Sequence, residues 1–369
     1  MIDLVIGDRA EVEVGAPAHG GHCVARHEGI VWFIRHALPG ERVIASVTEV
    51  HKGFVRADAV EILVPSASRV QAPCPYARPD ACGGCDLQHA APQAQLDWKA
   101  AVVEEQLARL GGIKRSVTVE PLPGNGFGWR TRVRYRVDAI GRPGLLKHRS
   151  NEVVPLERCL IAHESIQALD VLQRTWPDRD VIEVVSPANG KAQIVENQRI
   201  VEHAAGHDFD LDAGAFWQVH PAAADTLVDT VLGMLKPQRG ERAWDLYGGA
   251  GLFSVALADR GCEVTLVDIA TEARWPNVTV MESPVERARL PKRTDLVVLD
   301  PPRTGAGARV TKLVTSAAPR AVAYVACDPA ALARDLKTFA ENGWHLADLR
   351  AFDLFPQTHH VECVALLTP

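Results

Sequence analysis

The stretch Trp244-Asp-Leu-Tyr-Gly-Gly-Ala-Gly-Leu-Phe-Ser254 runs from apolar residues into glycines and then into helix formers. A strand followed by such a loop lets the backbone approach a ligand closely, because glycine carries no side chain to hold it off. A tight strand-to-helix turn without a ligand has the same signature. Twenty residues past Gly248, Asp268 closes the apolar run EVTLVD. A carboxylate there can accept hydrogen bonds from both hydroxyls of a ribose, so the pair suits an adenosine-containing cofactor.

Around this stretch, from about residue 240 onward, the apolar runs RAWDLY, EVTLVD, TDLVVLD, RAVAYVAC and HVECVALL are interleaved with the helical pieces VALADRG and AALARDLKTFAENG. The pattern predicts a doubly wound α/β sheet, in which ligands bind at the carboxyl ends of the strands. Asp300 ends TDLVVLD, and Pro301-Pro302 stiffen the loop that leads to Arg303. Cys327 ends AVAYVA and precedes Asp328-Pro329 and a helix, whose positive end favours a thiolate. It is a candidate nucleophile, against the plainer reading of a cysteine buried in a strand. Glu362 interrupts the apolar run HVECVALL. Burial would raise its pKa and suit it to accept a proton, and a glutamate paired for structure is the alternative.

Upstream, residues 9–14, 29–34, 41–49 and 54–63 read as short strands punctuated by Gly and Pro-Gly, which suggests a small β-barrel of the oligonucleotide-binding type. A cysteine-rich loop follows, Cys74-Pro-Tyr-Ala-Arg-Pro-Asp-Ala-Cys82-Gly-Gly-Cys85, in which proline and glycine suppress regular structure. In 92–110, Leu96, Val103, Leu107 and Leu110 recur at helical spacing before Gly111-Gly112, which predicts an amphipathic helix. WRTRVRYRV then alternates strictly, with Arg130, Arg132, Arg134 and Arg136 on one side of a strand and Thr131, Val133, Tyr135 and Val137 on the other. With Arg142, Lys147 and Arg149 against Asp138, this region is strongly basic and reads as a phosphate-contacting face.

The whole chain has 369 residues, enough for two or three domains. Its 47% hydrophobic and 23% charged composition excludes disordered, collagenous and coiled-coil classes. A net charge of -6 argues against coating nucleic acid by bulk positive charge and leaves room for a local basic stripe. No apolar run reaches the roughly 18 residues of a membrane span, and the amino terminus lacks a basic leader, so the expected location is cytoplasmic, with no membrane partner. Eight cysteines in such a compartment point to metal or catalysis ahead of disulfides.

Taken together, these residues resemble the RNA 5-methyluridine (uracil-C5) methyltransferase family, S-adenosyl-L-methionine-dependent enzymes that act on ribosomal or transfer RNA. The resemblance spans nearly the whole chain: the amino-terminal TRAM region, the cysteine loop, Phe216-Trp-Gln-Val-His220, DLYGGAG, DPPR, YVACDPAALARDL and FPQTHHVE, in that order. It implies a TRAM-like barrel over 1–65, a central α+β domain with the cysteine loop and basic strand over 66–205, and a Rossmann-like methyltransferase domain over 206–369. The helix 92–111 is able to pack on that last domain.

The resemblance further implies that Gln218, Tyr247, Asp268 and Asp300 line the methyl-donor site, that Cys327 is the nucleophile and that Glu362 is the base. Cys74, Cys82, Cys85 and Cys159 match the cysteines that hold a 4Fe-4S cluster, with zinc as the less favoured occupant of the same thiolates. The substrate is RNA, with 23S rRNA favoured over tRNA, held by the basic strand and the barrel, and the protein is expected as a monomer. Where the family usually has a full helix, only eight residues separate Asp268 from Asn277, so a more open adenine side is expected. The competing classes are a non-catalytic RNA-binding protein that keeps the fold, an amino-group methyltransferase and a nicotinamide oxidoreductase. The first predicts loss of Cys327 or Glu362, the second needs no thiol and no base for a ring-carbon proton, and the third leaves Cys327, Glu362 and the cysteine loop unexplained.

Overall fold

Short β-branched runs separated by glycine turns build the amino-terminal domain of the computed structural model, which describes residues 4–369. Its strands are β1 (Arg9–Glu13), β2 (Pro17–Ala18), β3 (His22–His27), β4 (Ile30–Arg35), β5 (Arg42–Val50) and β6 (Phe54–Val64), in the order β1-β5-β6-β4-β3-β2. Register shifts between β5 and β6 bend the sheet. Backbone bonds from Gly15 to Val24 (2.8 Å) and from Val24 to Ala16 (2.9 Å) then bring the end of β1 onto β3 and close it on itself. Val12, Trp32, Ile34, Val43 and Val55 fill the interior. The sequence reading missed β2 and β3, because His22–His27 is polar in composition and only Cys23 and Ala25 fill the core positions.

Helix α1 (Pro92–Gln106) starts on a proline, continues as one π-helical turn, and stops where Gly112 takes φ +69°. The expected stripe packs on one core, with Val103 and Leu107 inside the core of the carboxy-terminal sheet and Leu96 and Leu110 against it. A second apolar side, not expected from the sequence, puts Trp98 and Val102 into the core of the amino-terminal barrel. A helix between two domains is buried on two sides, so its apolar residues do not form one face.

Next come β7 (Val119–Pro121), β8 (Arg132–Val137), β9 (Pro143–Leu146), β10 (Val153–Pro155), the short helix α2 (Glu164–Gln167), β11 (Val181–Val185) and β12 (Gln193–Ile194). The central sheet has the order β10-β9-β8-β11-β12. The expected alternation holds along β8, with Val133 and Tyr135 buried between the arginines. The hairpin β13 (Arg199–Ala204) and β14 (His207–Asp212) crosses the expected boundary at residue 205, and Ile200, Phe209 and Leu211 pack into the catalytic core.

The catalytic domain continues with α3 (Ala223–Leu235), β15 (Arg242–Leu246), α4 (Leu252–Asp259), β16 (Glu263–Asp268), β17 (Val278–Glu282), β18 (Leu296–Leu299), α5 (Gly307–Ala317), β19 (Ala321–Ala326), α6 (Pro329–Glu341), β20 (His345–Asp353) and β21 (Glu362–Thr368). These strands and β7 form an eight-stranded sheet, β17-β16-β15-β18-β19-β21-β20-β7. β17, β16, β15, β18 and β19 pair in parallel, whereas β21 runs antiparallel to both neighbours. The amino end of β21 therefore lies at the edge where the parallel strands end. Among the described residues no helix is long and apolar enough to cross a membrane.

Candidate active site

The loop after β15 is shaped for close approach. Tyr247, Gly249 and Gly251 have φ of +66°, +50° and +84°, and a Cβ on Gly248 would stand 2.6 Å from Leu266. Asp268, at the end of β16, faces this loop: its Oδ2 accepts from the Gly249 N–H at 2.9 Å and its Oδ1 from the Ala270 N–H at 3.2 Å. Beneath them Asp245 is fully buried, with Oδ2 accepting from the Ser254 hydroxyl at 2.6 Å and Oδ1 without a partner. Burial pushes its carboxyl up to about 6. The sequence reading gave Asp245 no role, although an acid inside the apolar run RAWDLY was the available signal.

The short segment after Asp268 folds back over the loop. Thr271 Oγ1 donates to the Gly249 carbonyl, Trp275 Nε1 donates to the Ala250 carbonyl at 3.2 Å, and the Trp275 indole lies against Gly251. Trp275 thus packs the short segment after Asp268 onto the glycine loop. Tyr247 contributes a backbone turn, its N–H donating to Val267 at 2.8 Å, while its ring packs toward the core. Gln218 is half-buried beside Val219, whose carbonyl accepts from both the N–H and the hydroxyl of Thr131.

The chemistry-bearing residues meet at the same edge. The last pair of the β19–β21 ladder is Ala326 opposite Cys363; Cys327 lies just past that pair on one strand and Glu362 just before it on the other, near enough for the two groups to act on each other electrostatically. Glu362 is buried, and burial with the neighbouring Asp300 raises its pKa well above the usual carboxylate range, against the opposing pull of Arg303. Burial and Asp245 push Asp300 up to about 7. The thiolate expected at Cys327 meets opposing influences. Burial, Glu362 and Asp300 push the thiol up to about 12, and Arg303 only partly offsets them. The helix terminus is already used, because Asp328 caps it by accepting from the Ala331 N–H at 2.7 Å. Arg303, to which the sequence reading gave no role, is the cation that acts on both Cys327 and Glu362.

Cys74, Cys82, Cys85 and Cys159 line one small cavity, walled also by Leu145, Leu156, Leu160 and Ile161. The Gly84 N–H points at Cys82 Sγ at 3.3 Å. A Cβ on Gly83 would meet the His148 backbone at 2.7 Å, so only glycine lets the loop close against β9. Burial, with the nearby Cys159 and Cys74, pushes Cys82 up to about 11. Among the described residues no group of three or more His, Cys, Asp or Glu is gathered tightly enough for one metal ion. The four thiols surround a space instead of converging on a point.

The basic strand is less free than its sequence suggests. Arg132 is a structural residue: it donates to the carbonyls of Ala213 (2.9 Å) and Ala215 (2.8 Å) and pairs with Glu202. Arg130 Nε donates to the Arg132 carbonyl, and Arg134 pairs with Glu183 at 3.1 Å. Lys147 pairs with Asp80 and Glu152, and Arg149 with Glu49. Acids from distant parts of the chain thus offset the local excess of charge, which a window of sequence does not reveal.

Comparison with known proteins accounts for this arrangement. The family model for the TRAM domain matches residues 4–60, and that for tRNA (Uracil-5-)-methyltransferase matches residues 291–369. The crystal structure of Pyrococcus abyssi tRNA (uracil-54, C5)-methyltransferase in complex with S-adenosyl-L-homocysteine superposes with a TM-score of 0.72 at 21% identity, covering 97% of this chain and 100% of that one. The fold is therefore that of an α/β S-adenosyl-L-methionine-dependent methyltransferase with an amino-terminal TRAM domain. An uncharacterized RNA methyltransferase of Streptomyces coelicolor is 44% identical, covering 99% of this chain and 94% of that protein. The 23S rRNA (uracil(1939)-C(5))-methyltransferase of Thiobacillus denitrificans is 31% identical, covering 96% and 98%. The chain belongs to the RNA (uracil-C5)-methyltransferase family.

Proposed function

We propose that this enzyme methylates C5 of one uridine in 23S rRNA through a transient bond between Cys327 and C6, with Glu362 removing the C5 proton. The observation that supports the reading is the register of β19 and β21, whose last pair, Ala326 and Cys363, brings the neighbouring Cys327 and Glu362 to the edge that also bears Asp268 and Asp300. Uracil C5 is too weak a nucleophile to take a methyl group unaided. Addition of Cys327 to C6 pushes electron density onto C5, and the thiol proton passes to solvent as the sulfur adds. Once C5 carries the methyl group, Glu362 takes its proton and Cys327 leaves.

S-adenosyl-L-methionine supplies the methyl group; Asp268 fits its ribose, and Gln218, Tyr247 and Asp300 line the remainder of the site. The target base is flipped out of its stack to reach Cys327. Arg130, Arg134, Arg136 and the amino-terminal barrel hold the flanking RNA, whereas Arg132 supports the strand that presents them. The barrel 1–65, a central unit and a methyltransferase unit that begins with the β13–β14 hairpin divide these tasks within a monomer. The choice of 23S rRNA over tRNA rests on the relative from Thiobacillus denitrificans and on the pairing of a TRAM domain with the four-cysteine loop. Four thiols, Cys159 buried and the other three partly so, line one mostly apolar space with an N–H aimed at one sulfur, a setting that suits a 4Fe-4S cluster. Such a cluster would cross-link Cys74, Cys82 and Cys85 to Cys159 and stand apart from the methyl transfer.

Incubation with RNA carrying 5-fluorouridine at the target, plus S-adenosyl-L-methionine, tests the mechanism. A stable crosslink through Cys327, absent in Cys327→Ala, is expected; no crosslink where ordinary RNA is methylated overturns it. Mass-spectrometric mapping of 5-methyluridine in 23S rRNA and tRNA from cells with and without the gene decides the substrate.

A further inference from the structure

Asp86 adjoins Cys85 in sequence, yet its carboxylate serves the catalytic domain. It is buried, and its Oδ2 accepts from His359 twice, from the ring Nδ1 at 2.6 Å and from the backbone N–H at 3.1 Å. Its Oδ1 faces Arg35 of β4, 3.5 Å away. Three segments remote in sequence, from the barrel, the cysteine loop and the FPQTHH stretch, thus meet at one carboxylate.

The FPQTHH stretch has no ladder of its own. Residues 354–361 lie between β20 and β21 without regular structure, and they deliver the chain to Glu362. They are held chiefly from residues 86–99. The backbone N–H groups of Asp86 and Leu87 both donate to the Gln357 carbonyl at 3.0 Å. Gln95 and Gln357 exchange two further bonds, each 3.0 Å. The buried Lys99 ammonium pairs with Asp353 and donates to the Phe355 carbonyl at 3.1 Å. Cys327 is set directly by β19 and by the Asp328 cap of α6, and the clamp reaches it only indirectly, through the barrel turn whose Gly21 lies against Asp86 and whose His19 meets Asp328.

We propose that Asp86 is a positioning residue for the proton-removal step: by fastening His359 to the cysteine loop it fixes where Glu362 meets C5. The inference rests on the reading of Glu362 as the base. In that step the Glu362 carboxylate takes the C5 proton, the C–H electron pair becomes the C5–C6 double bond, and the pair of the C6–Sγ bond returns to Cys327. A base must lie within hydrogen-bond reach of its proton, and a misplacement of about 1 Å costs on the order of a hundredfold in rate. Removing the Asp86 charge frees the Glu362 side of the site and leaves the Cys327 side in place. The two halves of the reaction should therefore separate.

The test compares the full-length parent with Asp86→Asn, His359→Gln and Glu362→Gln. Adduct formation is followed as covalent protein–RNA complex on denaturing gels, turnover as 5-methyluridine released, and folding by thermal melting. Asp86→Asn and His359→Gln are expected to form adduct within about twofold of the parent rate while turnover falls by tenfold or more, so that methylated adduct accumulates as it does in Glu362→Gln. His359→Gln removes the same bond from the other side and serves if Asp86→Asn melts below the assay temperature. Parent-like turnover in both variants, or adduct formation and turnover falling together, overturns the proposal and leaves Glu362 as base. Should Glu362→Gln itself fail to accumulate adduct while Cys327 still crosslinks, the base assignment falls and this inference falls with it.

Discussion

His19, on the turn between β2 and β3, places Nε2 3.0 Å from Oδ2 of Asp328, the residue that follows Cys327. The tip of the amino-terminal barrel is thereby tied to the cap of the helix behind the nucleophile. Burial acts to raise the Asp328 carboxyl, but the hydrogen bonds from His19 and the Ala331 N–H outweigh it and hold the group below the usual range.

That contact is partly exposed, so its strength is modest. His19→Ala should cost about 0.2–1 kcal/mol of stability, as partly exposed ion pairs do. Asp328→Ala loses the helix cap as well and should cost about 0.5–2 kcal/mol more. Urea denaturation of the two single variants and the double variant measures the coupling, and strict additivity would show that the pair contributes nothing.

The pH dependence follows from the groups around the reacting pair. Cys327 and Glu362 both hold their protons more tightly than exposed thiols and carboxyls do, through burial and Asp300, and Arg303 opposes this. A group with a raised pKa needs a higher pH to ionise, so kcat/KM, which reports the free enzyme, should climb from neutral into alkaline pH. Arg303→Gln should move that limb further up. A profile that is flat from pH 6 to pH 9 would contradict the geometry.

Asp300 offers a stability readout of the same physics. Its carboxyl is pushed up to about 7 in the folded protein, so between its ordinary value and that point the unfolded chain has lost a proton that the native state keeps. Stability from this group therefore falls as pH rises through that window. Asp300→Asn removes the effect, and its melting temperature relative to the parent should rise between pH 5 and pH 8 even though methylation is lost. A pH-independent difference would place Asp300 in a more solvated setting than the structure shows.

The cysteine chamber makes a spectroscopic prediction. Protein purified without oxygen should be brown with broad visible absorbance, and Cys159→Ser should bleach it. Colourless protein containing stoichiometric zinc would replace the iron assignment.

Lys99 is buried and paired with Asp353. Lys99→Met leaves that carboxylate without its cation and should destabilise the protein by about 3–5 kcal/mol in denaturant melts. A cost below about 1 kcal/mol would mean that Asp353 finds another partner.

Much of the catalytic sheet was legible because its parallel strands are buried on both faces and read as continuous apolar runs ending in Asp268, Asp300 and Cys327. The amino-terminal barrel was legible in its longer strands and opaque at β3, where His22 and Arg26 mask two inward-facing residues. What sequence could not show is pairing across distance. Arg132 looks like a phosphate ligand until Glu202 and the Ala213 and Ala215 carbonyls are seen around it. Asp86 looks like part of a metal loop until His359 and Arg35 arrive. The helix terminus after Cys327 is a local signal, whereas the burial and the opposing Glu362 that raise the thiol's pKa come from the fold and from another strand.

Helix α1 gives its two apolar sides to different cores, Trp98 and Val102 to the barrel and Val103 and Leu107 to the methyltransferase sheet. Swinging the barrel aside would strip water-shy surface from one side or the other. The barrel and the methyltransferase sheet should therefore meet the RNA as one unit, so encounter should be paced by diffusion and local unpairing of the RNA rather than by a hinge.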